Sequence, residues 1–349
     1  MNATRILRRP RVLIIGCGDV GLRCAQRLLA RAARPRVIAL TTRTERAAQL
    51  RAAGLTPVLG DLDAPRTLRR LAGLARTVLH LAPPPPEGED DPRTRALIAV
   101  LAPGWRHRHR TARPAGTTLR RFGHPNMQGM RGGLDGRIVP EGLSRLGPLP
   151  RVRLVYASTT GVYGDCGGAF IDETRPVHPA NARAKRRVAA EQALRRANAR
   201  VATAASIVRI PGIYAAERLP LARIRQGKPA LIEQDDVYTN HIHADDLAAI
   251  MVRAAVAGRT GRVVHASDDT VLKMGEYFDR VADAFGLPRV PRVTRAAAET
   301  SLESTTLSFM RESRRLSNAR LKRELRVTLR YPTVDDFLRS AGVKKPTGR

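Results

Sequence analysis

Three glycines, Gly16, Gly18 and Gly21, carry the clearest chemistry in this chain of 349 residues. They stand in Gly16-Cys17-Gly18-Asp19-Val20-Gly21, a G-x-G-x-x-G spacing, directly after the apolar run Val12-Leu13-Ile14-Ile15. In that setting each glycine has its own task. The first permits a tight turn off a strand, the second lets backbone approach a pyrophosphate, and the third lets helix and strand pack closely. Residues 22–33, with Leu22, Ala25, Leu28 and Leu29 at helical spacing, supply a helix whose free N–H groups would face the phosphates. The same spacing also suits a plain structural turn in an α/β protein. About 20 residues further on, a dinucleotide fold that takes NAD has a carboxylate for the ribose 2′-hydroxyl. This chain has Thr41, Thr42 and Arg43 there, with Arg46 one turn later. Hydroxyls and a guanidinium suit a 2′-phosphate, so NADP is expected before NAD. An exposed arginine in an arginine-rich chain would look the same.

The elements that must position these groups alternate along the chain. Strands are expected at 36–42, 56–59, 77–82, 153–158, 205–210 and 262–266. Helices are expected at 45–53, 68–74, 93–101, about 179–199 and 275–285, and over 245–257 with Asp245 as its cap. This order predicts an α/β fold, a Rossmann-like doubly wound parallel sheet with a smaller C-terminal α/β substrate lobe. The dinucleotide domain would span 11–210. Residues 211–240 and 262–340 would form the lobe, with 241–261 returning to the first domain and 1–10 and 341–349 as flexible termini. The pattern stops over 103–150, where nine arginines face two acids with no sustained period. A disordered basic insertion is expected there, and His107-Arg108-His109-Arg110 within it reads as a mobile loop before a metal or nucleic-acid patch. His80, ending an apolar strand, reads as a hydrogen-bonded structural residue.

Composition narrows the function classes. The net charge of +31 comes from 62 basic residues, of which six are lysine, against 31 acids. The arginines are spread through every segment, and aromatics make up only 4%. A nucleic-acid footprint would be gathered into a patch with a recognisable motif, so nucleic acid is not the expected partner. Cys17, Cys24 and Cys166 lack paired spacing, which argues against a disulfide framework or a zinc site. No apolar run reaches membrane-span length, and the one after the basic start is too short for a signal peptide. A cytoplasmic protein acting on a small molecule is expected. Oligomeric state is left open, a homodimer included.

As an ordered set, the landmarks resemble the extended and atypical short-chain dehydrogenase/reductase superfamily, the NAD(P)-dependent epimerase/dehydratase relatives. The matching residues are Gly16 to Gly21, Gly60-Asp61-Leu62, His80-Leu81-Ala82 and Ser158-Thr159-Thr160-Gly161-Val162-Tyr163-Gly164. Asp172-Glu173, Pro179, Lys185, Glu191, Arg209 to Tyr214 and Asn240 to Leu247 continue the match. The resemblance implies a cofactor site. Gly16, Gly18, Asp19, Val20 and Gly21 would cradle the pyrophosphate, with Thr42 and Arg43 at the ribose phosphate. Asp61 and Leu62 would lie beside the adenine, and Leu81 and Ala82 towards the nicotinamide ribose. Ser158 would close the nicotinamide side, Lys185 would hold ribose hydroxyls, and Pro211 and Ile213 would flank the amide.

For catalysis the resemblance implies a hydroxyl at Thr159 and a Tyr-x-x-x-Lys pair on the following helix. There the lysine lowers the phenol pKa so that it can pass a proton. The corresponding window is taken as Asn181-Ala182-Arg183-Ala184-Lys185, with asparagine in place of the tyrosine. Asparagine can hydrogen-bond a carbonyl but is no proton donor of suitable pKa. Tyr163, His241 or His243 could substitute. Arg209, Arg223, Tyr238 and Asn240 are the candidate substrate contacts. The expected function is thus an NAD(P)-dependent oxidoreductase or epimerase/dehydratase-like enzyme acting on a polar, sugar-like or anionic substrate. The alternative is a catalytically silent NADP-binding sensor.

Overall fold

The computed structural model describes residues 9–102, 151–200, 202–302, 307–308 and 310–341. The expectation for 103–150 lies outside the described residues, as do 1–8 and 342–349. Seven parallel strands form the central sheet: β1 (Arg11–Ile15), β2 (Arg36–Thr41), β3 (Thr56–Leu59), β4 (Thr77–His80), β5 (Val152–Thr159), β6 (Thr203–Ile210) and β7 (Val263–His265). Their spatial order is β7-β6-β5-β4-β1-β2-β3, and every neighbouring pair is parallel. The order reverses at β1, between β4 and β2, which opens a crevice at the carboxyl ends of those strands. Val12 to Ile15 are buried because helices cover both sheet faces, so the strand reads as an unbroken apolar run.

The principal helices are α1 (Asp19–Leu29), α2 (Thr44–Ala52), α3 (Pro92–Leu101), α4 (Ala182–Ala199), α5 (Ala244–Ala257), α6 (Met274–Ala284) and α7 (Val334–Ser340). On one face Cys24, Ala25 and Leu28 of α1 share a core with Ile250, Met251 and Ala254 of α5. On the other, Leu97 and Leu101 of α3 and Ala190 and Leu194 of α4 pack on Leu13, Val78 and Leu154. A separate core built from Tyr214, Ile224, Phe278, Val281 and Phe337 forms beyond the sheet edge.

Three expectations are corrected. The segment near 68–74 is a 3-10 helix at Pro65–Leu71. The cap of α5 is His243, whose Nδ1 accepts from the Asp245 N–H, while Asp245 itself lies in the first turn. Finally, β7 is the outer strand of the main sheet, and Leu321, Leu325 and Leu329 join the α1/α5 core. The chain after 262 therefore contributes to both cores instead of to the lobe alone.

Candidate functional site

The glycine loop sits at the mouth of the crevice, and each glycine is demanded for a different reason. Gly16 has φ +85°, and a Cβ there would stand 2.4 Å from the backbone N of Ala82. A Cβ on Gly21 would lie 2.8 Å from the Gly16 carbonyl oxygen. At Gly18 a Cβ would meet nothing within 4 Å, because that position faces open groove. Gly18 is also the residue before α1, which has no side-chain cap. The first N–H groups of the helix therefore point into the groove unsatisfied by any side chain, a ready site for phosphate oxygens.

Three hollows meet around this loop. One of about 600 Å³ runs outward past Gly16 and Gly18 to Thr42, Arg43, Asp61, Leu62 and Ala82. A second, of about 330 Å³, is lined by Gly18, Asp19, Val20, Gly21, Leu81, Ser158, Pro211 and Ile213. The third, of about 670 Å³, shares Thr159, Arg187 and Pro211 with the second and opens towards Arg223, Tyr238 and Asn240. Because they share lining residues, together they make one continuous groove. Every expected cofactor residue lines it except Lys185. Of the expected substrate contacts, Arg223, Tyr238 and Asn240 line the third hollow.

Arg209 does not. It is 2% exposed, and its guanidinium makes a forked pair with Glu191, Nε to Oε1 at 3.0 Å and Nη2 to Oε2 at 2.7 Å. Glu191 Oε1 also accepts from Ser158 Oγ at 2.7 Å, and Arg209 Nη1 donates to Tyr163 OH at 2.6 Å. His265 Nδ1 lies 3.0 Å from the Ser317 carbonyl, so that nitrogen carries the proton. Nε2 then accepts from Tyr163 OH at 2.6 Å. Arg209 thus belongs to a buried chain of polar groups that holds Ser158 from behind. A charge so buried persists only because it is paired.

Tyr163 is not among the groove-lining residues: its OH is held between Arg209 and His265, and burial pushes its phenol up to about 12. The histidines are also committed. Burial holds His241 down to about 3, stacked on the Tyr277 ring at 4.1 Å. Burial likewise lowers His243, which serves as the α5 cap. His80 is structural, with Nε2 2.9 Å from Thr94 Oγ1.

The largest correction concerns α4. Asn181 is the N-cap residue, its Oδ1 accepting from the Ala184 N–H at 2.9 Å and its Nδ2 donating to Glu312. Lys185 points outward and pairs with Glu89 at 2.6 Å. Neither lines the groove. The pair that does is Arg183 and Arg187, two residues further on. Two residues turn about 200° around a helix, so an expected pair displaced by two faces away from the site. Buried Glu191, four residues after Arg187, fixes this rotation through its bonds to Ser158 and Arg209. Arg187 Nη1 donates to the Ala157 carbonyl at 2.7 Å and to Tyr156 OH at 3.1 Å, beside Ser158 and Thr159.

Other groove residues gave no signal in the linear sequence. Arg218 reaches the second hollow and pairs with Asp19 at 3.0 Å. Arg93 reaches the first hollow from α3. Glu312 and Arg314, an ion pair at 2.9 Å, arrive beside Thr159 and Gly161 from far along the chain.

Residues 141–266 match the family model described as the NAD dependent epimerase/dehydratase family, and residues 12–83 match the TrkA-N domain. The first of these matches covers about a third of the chain, and over that stretch the sequence is similar to the epimerase/dehydratase family. No curated protein matches it. Among solved structures, the chain is similar to a functionally unknown conserved protein from Silicibacter pomeroyi DSS. The identity is 24%, 95% of this chain and 97% of that one are covered, and the TM-score is 0.68. It is similar to the dTDP-glucose 4,6-dehydratase DesIV from Streptomyces venezuelae with NAD and TYD bound, at 18% identity, 94% and 95% coverage and TM-score 0.65. It is also similar to UDP-glucuronic acid 4-epimerase from Bacillus cereus in complex with NAD, at 13% identity, 96% and 100% coverage and TM-score 0.63. These likenesses show a common fold. No helix among the described residues is long and apolar enough to cross a membrane.

Proposed function

We propose that the chain binds a nicotinamide dinucleotide, NADP before NAD, and acts as an epimerase/dehydratase-like oxidoreductase on a polar small molecule in the third hollow. The single observation that carries this is the unbroken groove from Arg43 past Gly18 to Thr159, laid over the open N-terminus of α1 at the switch point of the sheet. The likeness to NAD-bound dehydratase and epimerase structures supports the cofactor class. Thr42 and Arg43, both exposed after β2 and lining the first hollow, support the reading of a ribose 2′-phosphate there. Arg46 is drawn inward instead and donates to the Cys17 carbonyl. Bound nicotinamide supplies a carbon that gives or takes hydride. Thr159 and Arg187, at the junction of the second and third hollows, would orient and polarise the substrate oxygen.

A second reading, the silent NADP-binding sensor, rests on the pair presented by α4. Arg183 and Arg187 stand where a proton donor would serve, and a guanidinium stays protonated at any working pH. For turnover the proton must come from water or from Tyr238, a phenol of the hollow wall. Titration with NADPH and NADH, monitored by fluorescence, tests the binding. Arg43→Ala should weaken NADPH about tenfold and leave NADH unchanged. Absence of binding to either nucleotide sinks both readings. Turnover of a carbonyl or nucleotide-sugar panel that is lost in Tyr238→Phe supports the enzyme, and no turnover with intact binding supports the sensor.

A further inference from the structure

The wall of the third hollow holds far more positive charge than its own carboxylates can balance. Five arginines line it, Arg183, Arg186, Arg187, Arg223 and Arg314, while Glu312 is the one carboxylate in the described lining. Three of the five come from one helix at i, i+3 and i+4 spacing, so a single face of α4 presents them together. On Arg186, Arg187 and Arg314 the donors are incompletely used. Arg187 bonds only the neutral oxygens of Ala157 and Tyr156, both through Nη1, and makes no ion pair among the described residues. Arg186, 8% exposed, donates from Nη1 to the Gly88 carbonyl at 2.5 Å, but its Nε is buried without a partner. Arg314 pairs with Glu312, yet its Nε is buried without a partner too. Buried donors left unmatched are costly, and like charges in a concave site raise its affinity for an anion. Met274, Tyr277 and Phe278 also line the hollow, with the Arg223 guanidinium over the Phe278 ring at 5.0 Å.

We propose that this arginine face is an oxyanion site: the molecule sharing the groove carries a carboxylate or phosphate and docks that acid group against Arg183, Arg186 and Arg187. Arg187 also lines the second hollow beside Ser158 and Thr159, so the acid group sits at the inner end of the molecule. The body of the molecule then lies on Tyr277 and Phe278. The position of the acid beside the nicotinamide rests on the cofactor reading above, whereas the oxyanion site itself does not.

The test is calorimetric titration of the full chain, with and without saturating NADPH, using malonate and inorganic phosphate as probes. Tighter binding of malonate indicates a carboxylate ligand, and tighter binding of phosphate a phosphorylated one. Arg187→Gln should weaken the preferred probe about tenfold, and Arg183→Gln with Arg187→Gln about a hundredfold. Arg187→Lys should recover only part of the loss, because the planar fork is gone. Arg196→Gln, on the exposed face of the same helix, should change it less than about twofold. If Arg187→Gln does not fold, as judged by circular dichroism, Arg183→Gln alone carries the comparison. No probe binding in wild type overturns the proposal, and so does equal weakening by Arg196→Gln. If NADPH fails to bind while the arginine-dependent anion binding persists, the cofactor reading falls and the oxyanion site stands.

Discussion

Alanine at Gly18 should separate the fold from the binding. Gly18 has φ −77° and ψ −154°, extended backbone open to any residue, and a Cβ there meets nothing within 4 Å. Gly18→Ala is therefore expected to leave stability unchanged or to raise it by about 0.4–1 kcal/mol, since alanine has less freedom to lose on folding. Gly16→Ala is the contrast. Its φ of +85° is left-handed, and the new methyl would press on the Ala82 backbone at 2.4 Å. Conformational strain alone is about 1–3 kcal/mol, and the clash can be relieved only by moving β4 or the loop. A loss of about 3 kcal/mol or more is expected for Gly16→Ala. In binding the order reverses in significance. The Gly18 methyl would occupy the junction of the first two hollows, where the pyrophosphate must approach the helix N–H groups. Losing one charge-assisted hydrogen bond, about 1.5–3 kcal/mol, weakens the dinucleotide roughly ten- to a hundredfold. Urea unfolding and NADPH fluorescence titration on the two variants provide the measurement. A Gly18→Ala protein as stable as wild type that binds NADPH equally well would refute the cradle. Equal destabilisation of both variants would refute the geometry of the loop.

Other consequences are as concrete. Arg209→Met leaves Glu191 charged and buried, so about 3–5 kcal/mol of stability should be lost, and a loss under about 1 kcal/mol in urea unfolding would contradict the buried pair. Burial holds His80 and His241 down to about 3 and His265 to about 4. The unfolded chain takes up those protons near pH 6.5 and the folded chain does not. Stability is therefore full above that pH and falls as pH drops towards 4, by up to about 1.4 kcal/mol per pH unit for each histidine. The urea midpoint should drop between pH 7.5 and 5.0, less steeply in His241→Phe, and a flat midpoint would exclude neutral burial. Lys185→Met should change stability by less than about 0.5 kcal/mol, because its pair with Glu89 is exposed. It should also leave NADPH affinity within about twofold, whereas a tenfold loss would return Lys185 to the groove.

Local features were legible without coordinates. The run Val12 to Ile15, the glycines after it, and the alternation of strands with helices follow from burial and backbone freedom within a few residues. Those forces act along the chain, and so they announced both the sheet and the position of the cradle. The resemblance added the landmarks Asp61, Leu81, Ser158 and Pro211, all of which line the groove.

What the tertiary structure alone decided is rotation and arrival. Helix α4 combines alanines with arginines at 183, 186, 187, 195 and 196, and its buried face carries Arg186 and Glu191 beside Ala190, Ala193, Leu194 and Ala197. Its orientation is set by Glu191 bonding Ser158 and Arg209, residues on two other strands. That rotation turned Asn181 and Lys185 out of the site and brought Arg183 and Arg187 into it. Arg209 likewise reads as an available cation until the strand packing encloses it. Glu312 and Arg314 reach Thr159 only because the chain folds back over the sheet edge. The amino-acid order determines which residues can cradle a phosphate, since that depends on neighbours. Which side chains line the hollow beyond it depends on contacts between distant segments, and only packing resolves those.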